Sequence, residues 1–290
     1  MSCYADGLER GGVPLLLVHA VHAGASAYDV RPLYEHYRAR RPVYALDLPG
    51  FGFSERGLRL YSPRLMTDAV RAAAARVRHR HGGVSPDAIA LALACEFLAR
   101  AASEDPAAFR SVGLVSPTGL GRRGSAAVEG GVAAGRPLVR GVLCARLWSR
   151  PLFAALTSRR GLRLALGRVY GWRAVDEGLL AYAYETAHQP GAEHAAWALA
   201  SGFLKSRDAQ RVYHSLELPV WLAHGVRGHP AAAREAARIR GRPGWTVASF
   251  ATGALPHFEA LDAVVRSYDA FLGGLEASVA YGGDPRDPAA

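Results

Sequence analysis

The residues of this chain best suited to chemistry sit at or just past the ends of its short apolar runs. His19 lies at the end of the run "PLLLVHA" and His22 follows it, Cys95 and Glu96 follow "AIALAL", His229 follows "PVWLAHG" and His257 follows "WTVASFATG". Imidazole is the side chain that changes charge near neutrality, so each histidine is a candidate acid–base group. Glu96, close to the start of a helical pattern, is favoured there by the helix dipole, and beside an apolar pocket it would serve as a general acid or base. Cys95 lies at the same helix start, where a thiol pKa can fall far enough for nucleophilic attack. Its bland alternative is a small buried hydrophobe. His19-x-x-His22, with His229 and His257, is a weak pattern for a transition metal. No metal site and no cofactor are expected.

The elements that must position these groups alternate regularly. "PLLLVHA" (14–20), "PVYALDL" (42–48), "AIALAL" (88–93), "SVGLVSP" (111–117), "PVWLAHG" (219–225) and "WTVASFATG" (245–253) have the length and continuous apolarity of strands buried on both faces. Helical patterns over 29–40, 64–81, 95–105, 230–240 and 260–272 separate them. This order predicts an α/β fold with a mostly parallel central sheet and helices on both faces. Residues 119–216 carry helix-like segments and no strand, so a helical cap is expected there, inserted into a core of 1–118 and 217–275. The Gly/Pro-rich 276–290 is expected to be a flexible tail. In such sheets ligands bind beyond the carboxyl ends of the strands, where the six reactive residues fall.

The loop Asp47-Leu48-Pro49-Gly50-Phe51-Gly52-Phe53-Ser54 resembles the D-x-x-G-x-G-x-S loop of the α/β-hydrolase fold family. His19-Ala20 resembles its oxyanion-loop His-Gly, and "LPVWLAHG" and "ALPHFEALDAVVRSYDAFL" resemble its late strand and closing helix. The resemblance covers nearly the whole chain. It implies a nucleophile at the centre of a tight strand-to-helix turn, G-x-S-x-G. The corresponding residues are Ala90-Leu91-Ala92-Leu93-Ala94, which places Ala92 at the nucleophile position with small neighbours kept. The implied acid position holds Gly228, then His229, and the implied histidine position holds Ala254. His257, three residues on, fills that role only if the loop is rearranged; otherwise it is a structural or rim histidine. The resemblance also implies backbone oxyanion donors at Leu93 and near Ala20 or Val21, beside His19 and His22.

Composition narrows the class. The chain has 290 residues and a formal charge of +10, carried almost wholly by arginine, since Lys205 is the sole lysine. No base-stacking motif or recognition helix accompanies the charge, so nucleic acid is not expected as a partner. Arg122 to Arg173 holds eleven arginines and one acid, Glu129. Such a segment either lies against an anionic membrane surface or is a solvated face with its apolar side on the core. No apolar run approaches the roughly 18 residues of a membrane span, and no secretory signal is visible. Cys3, Cys95 and Cys144 are odd in number and far apart, as reduced thiols in a cytoplasmic protein would be.

Three functions remain open. The first is a small-molecule binding protein or non-hydrolytic acid–base enzyme (lyase, isomerase or cyclase type) that holds a largely apolar carbonyl compound. The second is an esterase-like hydrolase with a displaced triad, using Cys95 or a water activated by His257. The third is a non-catalytic scaffold whose basic cap meets a partner or membrane.

Overall fold

The computed structural model describes residues 1–120, 135–145, 147–171, 175–227 and 230–280. Seven strands form one sheet: β1 (Cys3–Asp6), β2 (Leu15–Val18), β3 (Val43–Leu46), β4 (Asp87–Leu91), β5 (Ser111–Val115), β6 (Val220–Gly225) and β7 (Trp245–Phe250). Their spatial order is β1-β3-β2-β4-β5-β6-β7, and all pairs are parallel except β1 with β3. The fold class expected from the alternation is therefore the one observed. β1, "CYAD", was not among the expected strands. It is a half-exposed antiparallel edge with no apolar run to mark it.

Alternation along the strands divides the core. On β4, Ala88 and Ala90 face one way and pack with α2 (Pro63–Arg80) and α3 (Ala94–Glu104). Ile89 and Leu91 face the other way, with α1 (Arg31–Tyr37) and a long closing helix that runs from Leu261 to Ala280. Successive strand side chains point to opposite faces, so a strand covered on both faces must be apolar at every position. The expected tail boundary at 276 moves: the closing helix continues through 276–280, and 281–290 lie outside the described residues.

Between β5 and β6 the described chain is helical: α4 (Pro137–Leu143), α5 (Ser149–Leu156), α6 (Arg159–Tyr170), α7 (Glu177–Ala187), α8 (Ala192–Ala200) and α9 (Ala209–His214). After β6 come α10 (Pro230–Ile239), then β7, the short α11 (Pro256–Glu259) and finally α12 (Leu261–Ala280). No described helix is long and apolar enough to cross a membrane.

A buried charge cluster locks the amino ends of the strands. The Asp87 carboxylate is fully buried and accepts from Arg110 at 2.8 and 2.7 Å, from Ser111 Oγ at 2.7 Å and from Arg41. Removing one partner of such a set strands the others without compensation. Asp87→Asn is expected to lower unfolding stability by roughly 3 kcal/mol in urea melts. A change below about 1 kcal/mol would mean the pairing contributes little.

Candidate active site

The turn after β4 bends sharply at Ala92. Ala92 has φ +50°, one of two positive-φ residues other than glycine in the described chain. A left-handed alanine costs roughly 1–2 kcal/mol, so its surroundings must impose it. They do so through main-chain bonds: Ala92 N–H donates to Val115 O at 2.9 Å, and Thr118 N–H donates to Ala92 O at 3.3 Å. Leu93 immediately precedes α3, so its N–H has no carbonyl one turn back to bond. The Leu93 side chain is buried core.

The second strained residue is Ser116, φ +48°, at the adjoining end of β5. Its N–H donates to Ala223 O at 2.7 Å and its Oγ donates to Ala254 O at 2.5 Å. Sequence reasoning missed it, because no residue pattern marks a strained serine after a strand.

The loop after β2 hangs from Asp47. That buried carboxylate accepts from Ala27 N at 2.7 Å, Phe53 N at 2.8 Å and Tyr4 Oη at 3.0 Å. Gly52, φ +54°, passes so close that an added Cβ would lie 2.0 Å from the Asp47 Cγ. Ser54 Oγ donates to Asp47 O at 2.6 Å. The Asp, second Gly and Ser of the motif are thus a structural clasp. His19 belongs to it: its Nε2 accepts from Leu48 N at 2.9 Å, so its Nδ1–H is the donor to Ala20 O. Burial lowers its pKa. His19 fixes a loop and has no free nitrogen.

His22, at the tip of that loop, is different. Its Nε2 lies 3.2 Å from each oxygen of the fully buried Asp29 carboxylate, and 14% of its side chain is exposed. With Nε2–H donating to Asp29, Nδ1 is left as the base nitrogen. The Tyr170 ring stands edge-on to it, with centroids 5.9 Å apart. Asp29 was read only as the start of a helical pattern; the His22-to-Asp29 spacing carries no signature that sequence reasoning can use.

His257 is buried and turned toward Asp29. Its Nε2–H donates to Asp29 O at 2.7 Å, the ring is 1% exposed, and the inward Nδ1 has no partner among the described residues. Burial pushes its pKa down to about 4, outweighing the carbonyl bond and the Asp29 charge. It acts as a neutral strut beneath Asp29.

The two loops that the resemblance assigns to the acid and histidine are joined otherwise. Arg227 bonds Ala251 O at 2.6 Å and pairs with Glu259, whose other oxygen accepts Gly253 N at 2.6 Å. Ala254, at the implied histidine position, donates its N–H to Tyr170 O at 2.7 Å. His229 and Gly228 lie outside the described residues.

The reading of Cys95 as a small buried hydrophobe holds, and the general acid–base reading of Glu96 is corrected by its surroundings. Cys95 is fully buried, its Sγ is 3.1 Å from Ala90 O and 3.5 Å from Val115 O, and burial raises its pKa. A thiol so held is a weak donor and not an exposed nucleophile. Glu96 is 1% exposed and bonded to Ser206 and Arg100, in a cluster with Asp208 that joins α3 to the chain leading into α9. Desolvation raises its pKa against those bonds. Neither residue belongs to the His22 loop cluster.

The inserted helices lie over this end of the sheet. Arg56 bonds both the Gly50 loop and Thr186 O, while Thr186 Oγ1 donates to Gly24 O at 3.0 Å. Tyr170, at the end of α6, is buried with Ala20, Val115 and Leu255, with Ala92 packed against the same cluster. Ala92, Val21 and His22 themselves stay partly exposed. Among the described residues no three metal-capable side chains converge.

The strut role of His257 has a pH consequence. The unfolded ring binds a proton near pH 6.5 and the folded ring only near pH 4. Its contribution is therefore intact above about 6.5 and is lost as pH falls toward about 4, by roughly 3 kcal/mol in all. His257→Gln, which keeps an N–H for Asp29 O, is expected to lose less stability than the wild type over that acid interval in urea melts. Equal losses would contradict a buried neutral imidazole.

No protein-family model and no curated protein sequence matches this chain. Solved structures do match in shape. A serine hydrolase involved in carbazole degradation superposes with a TM-score of 0.65 at 13% identity, covering 93% of each chain. The meta-cleavage product hydrolase of Pseudomonas fluorescens IP01, as a Ser-to-Ala mutant complexed with acetates, gives 0.66 at 17%, again over 93% of each. The enol-lactonase of Burkholderia xenovorans LB400 gives 0.64 at 16%, over 94% of this chain and 96% of that one. At such identities the likeness concerns architecture, and the architecture is the α/β-hydrolase fold.

Proposed function

We propose that this protein binds a small, largely apolar carbonyl compound under its inserted helices, which act as a cap, and that its chemistry is proton transfer by His22 and not acyl transfer. The observation that supports this reading is a strained Ala92, φ +50°, and a partly exposed His22 held by buried Asp29, both on Tyr170: its ring stands edge-on to His22 and it belongs to the cluster Ala92 packs against. Maintained strain at a site is a reason to suspect retained use of that backbone.

In this reading the carbonyl oxygen lies against the Leu93 N–H and an amide of the Ala20–Val21 turn. These main-chain donors do not depend on the missing serine. His22 Nδ1 takes a proton from the carbon next to the carbonyl, and the electron pair moves onto oxygen as an enolate. Asp29 holds Nε2–H and stabilises the imidazolium that results. Return of the proton to another carbon is an isomerisation; expulsion of a group beyond that carbon is an elimination.

The displaced-triad reading meets two obstacles. The Cys95 thiol is spent on backbone carbonyls, and His257 is sealed and depressed in basicity. A scaffold without chemistry would leave the strain at Ala92 without a use.

The test has two arms. Deuterium uptake at the α-carbon of cyclohexanone in heavy water, followed by NMR, is expected with the wild type and to fall about 100-fold in His22→Ala. With para-nitrophenyl acetate, neither the wild type nor Ala92→Ser is expected to exceed background. Ester turnover by the wild type that disappears in Cys95→Ala would overturn the proposal, as would cyclohexanone exchange untouched by His22→Ala.

A further inference from the structure

The face formed by α4, α5 and α6 exposes apolar side chains that ordinary helix packing would bury. α4 buries none of its side chains, although most of them are apolar. Leu138 and Leu147 are 87% and 83% exposed, and Val142, Trp148, Leu156 and Leu164 are exposed with them. The three helices are neighbours, since α5 packs on α6 and both α4 and α5 pack on α8. The reading of this segment as a solvated face with its apolar side on the core therefore fails for these residues.

Charge surrounds the same apolar patch. Arg136, Arg150, Arg159, Arg160, Arg163 and Arg168 are exposed, and the sequence contains no acid between Glu129 and Asp176. Arg163 pairs with Glu177 and Arg150 with Glu193, while Arg159 lies over the Tyr184 ring. Arg136, Arg160 and Arg168 have no acidic partner among the described residues. On α6, Arg160, Leu164 and Arg168 follow at intervals of four, so one helix face carries charge, apolar bulk and charge in line. Trp148 donates its indole N–H to Val142 O at 2.9 Å, which leaves the exposed ring free to lie at an apolar boundary.

We infer that this face docks the protein on an anionic lipid surface. Leucines, valine and tryptophan enter the boundary between headgroups and acyl chains, and the arginines meet the lipid phosphates. A second copy pressed against the same face would set arginine against arginine, which opposes self-pairing. A nucleic-acid backbone would satisfy the arginines and leave the leucines in water.

Co-sedimentation of the full chain with lipid vesicles tests this. Binding is expected to vesicles containing about a third phosphatidylglycerol and not to phosphatidylcholine alone, and to weaken sharply in about 0.5 M salt. Each unpaired arginine lost is expected to weaken binding about fivefold, so Arg160→Glu with Arg168→Glu should cost well over tenfold. Leu138→Ser with Leu147→Ser should also weaken binding; all four positions are exposed, and circular dichroism checks that the fold is kept. Equal sedimentation with both vesicle types, or none with either, overturns the inference. So does tight binding to anionic vesicles that the arginine pair leaves unchanged. Concentration-dependent dimerisation that the leucine pair abolishes, without vesicle binding, would assign the face to a second copy instead.

Discussion

Everything at the working end of this sheet depends on one buried carboxylate. Asp47 gathers three donors from three parts of the chain: Tyr4 from the edge strand, Ala27 from the segment after β2, and Phe53 from its own loop. A buried charge is tolerable only when its bonds are complete, so these segments cannot separate without exposing it. The bond to Ala27 places the short helical turn that carries Asp29, and Asp29 in turn places His22 and His257. Arg56, leaving the same glycine loop, carries the tie on to Thr186 of α7. The clasp thus sets the base of the site and part of its cover together.

Around that clasp the molecule has the backbone of an α/β-hydrolase fold. The turn after β4 is bent at Ala92, φ +50°. The loops after β6 and β7, which the resemblance assigns to an acid and a histidine, are joined by Arg227 and Glu259. That pair is partly exposed and serves as a brace for the Gly253 turn, because neither partner can act as an imidazole does near neutrality. A His–carboxylate contact is present between His22 and Asp29, after β2.

The sheet was readable from sequence because strands buried on both faces must be apolar throughout, as "AIALAL" and "PVWLAHG" are. The edge strand β1 escaped for the converse reason: half-exposed, it carries no apolar run. The tight turn at Ala92 was legible from the strand-to-helix junction and its small flanking residues. His257 was named from its place before the last helix, but its ring turns down to Asp29 O, a choice set by tertiary packing. Cys95 was legible as a small buried hydrophobe, whereas Glu96, judged from the helix start alone, is buried in the cluster with Ser206 and Arg100. The His22–Asp29 contact spans a turn whose geometry Asp47 imposes, and no local pattern encodes it.

The proposed proton transfer depends on the state of one imidazole. Nitrogen-15 NMR of the ring nitrogens, with His22 assigned by its loss in His22→Ala, reads that state directly. The neutral His22 ring is expected to carry its proton on Nε2 and to leave Nδ1 bare, and its signals should move on saturation with cyclohexanone while those of His19 stay fixed. A ring protonated on Nδ1, or one indifferent to the ketone, would contradict the claim that this pair is the working centre of the protein.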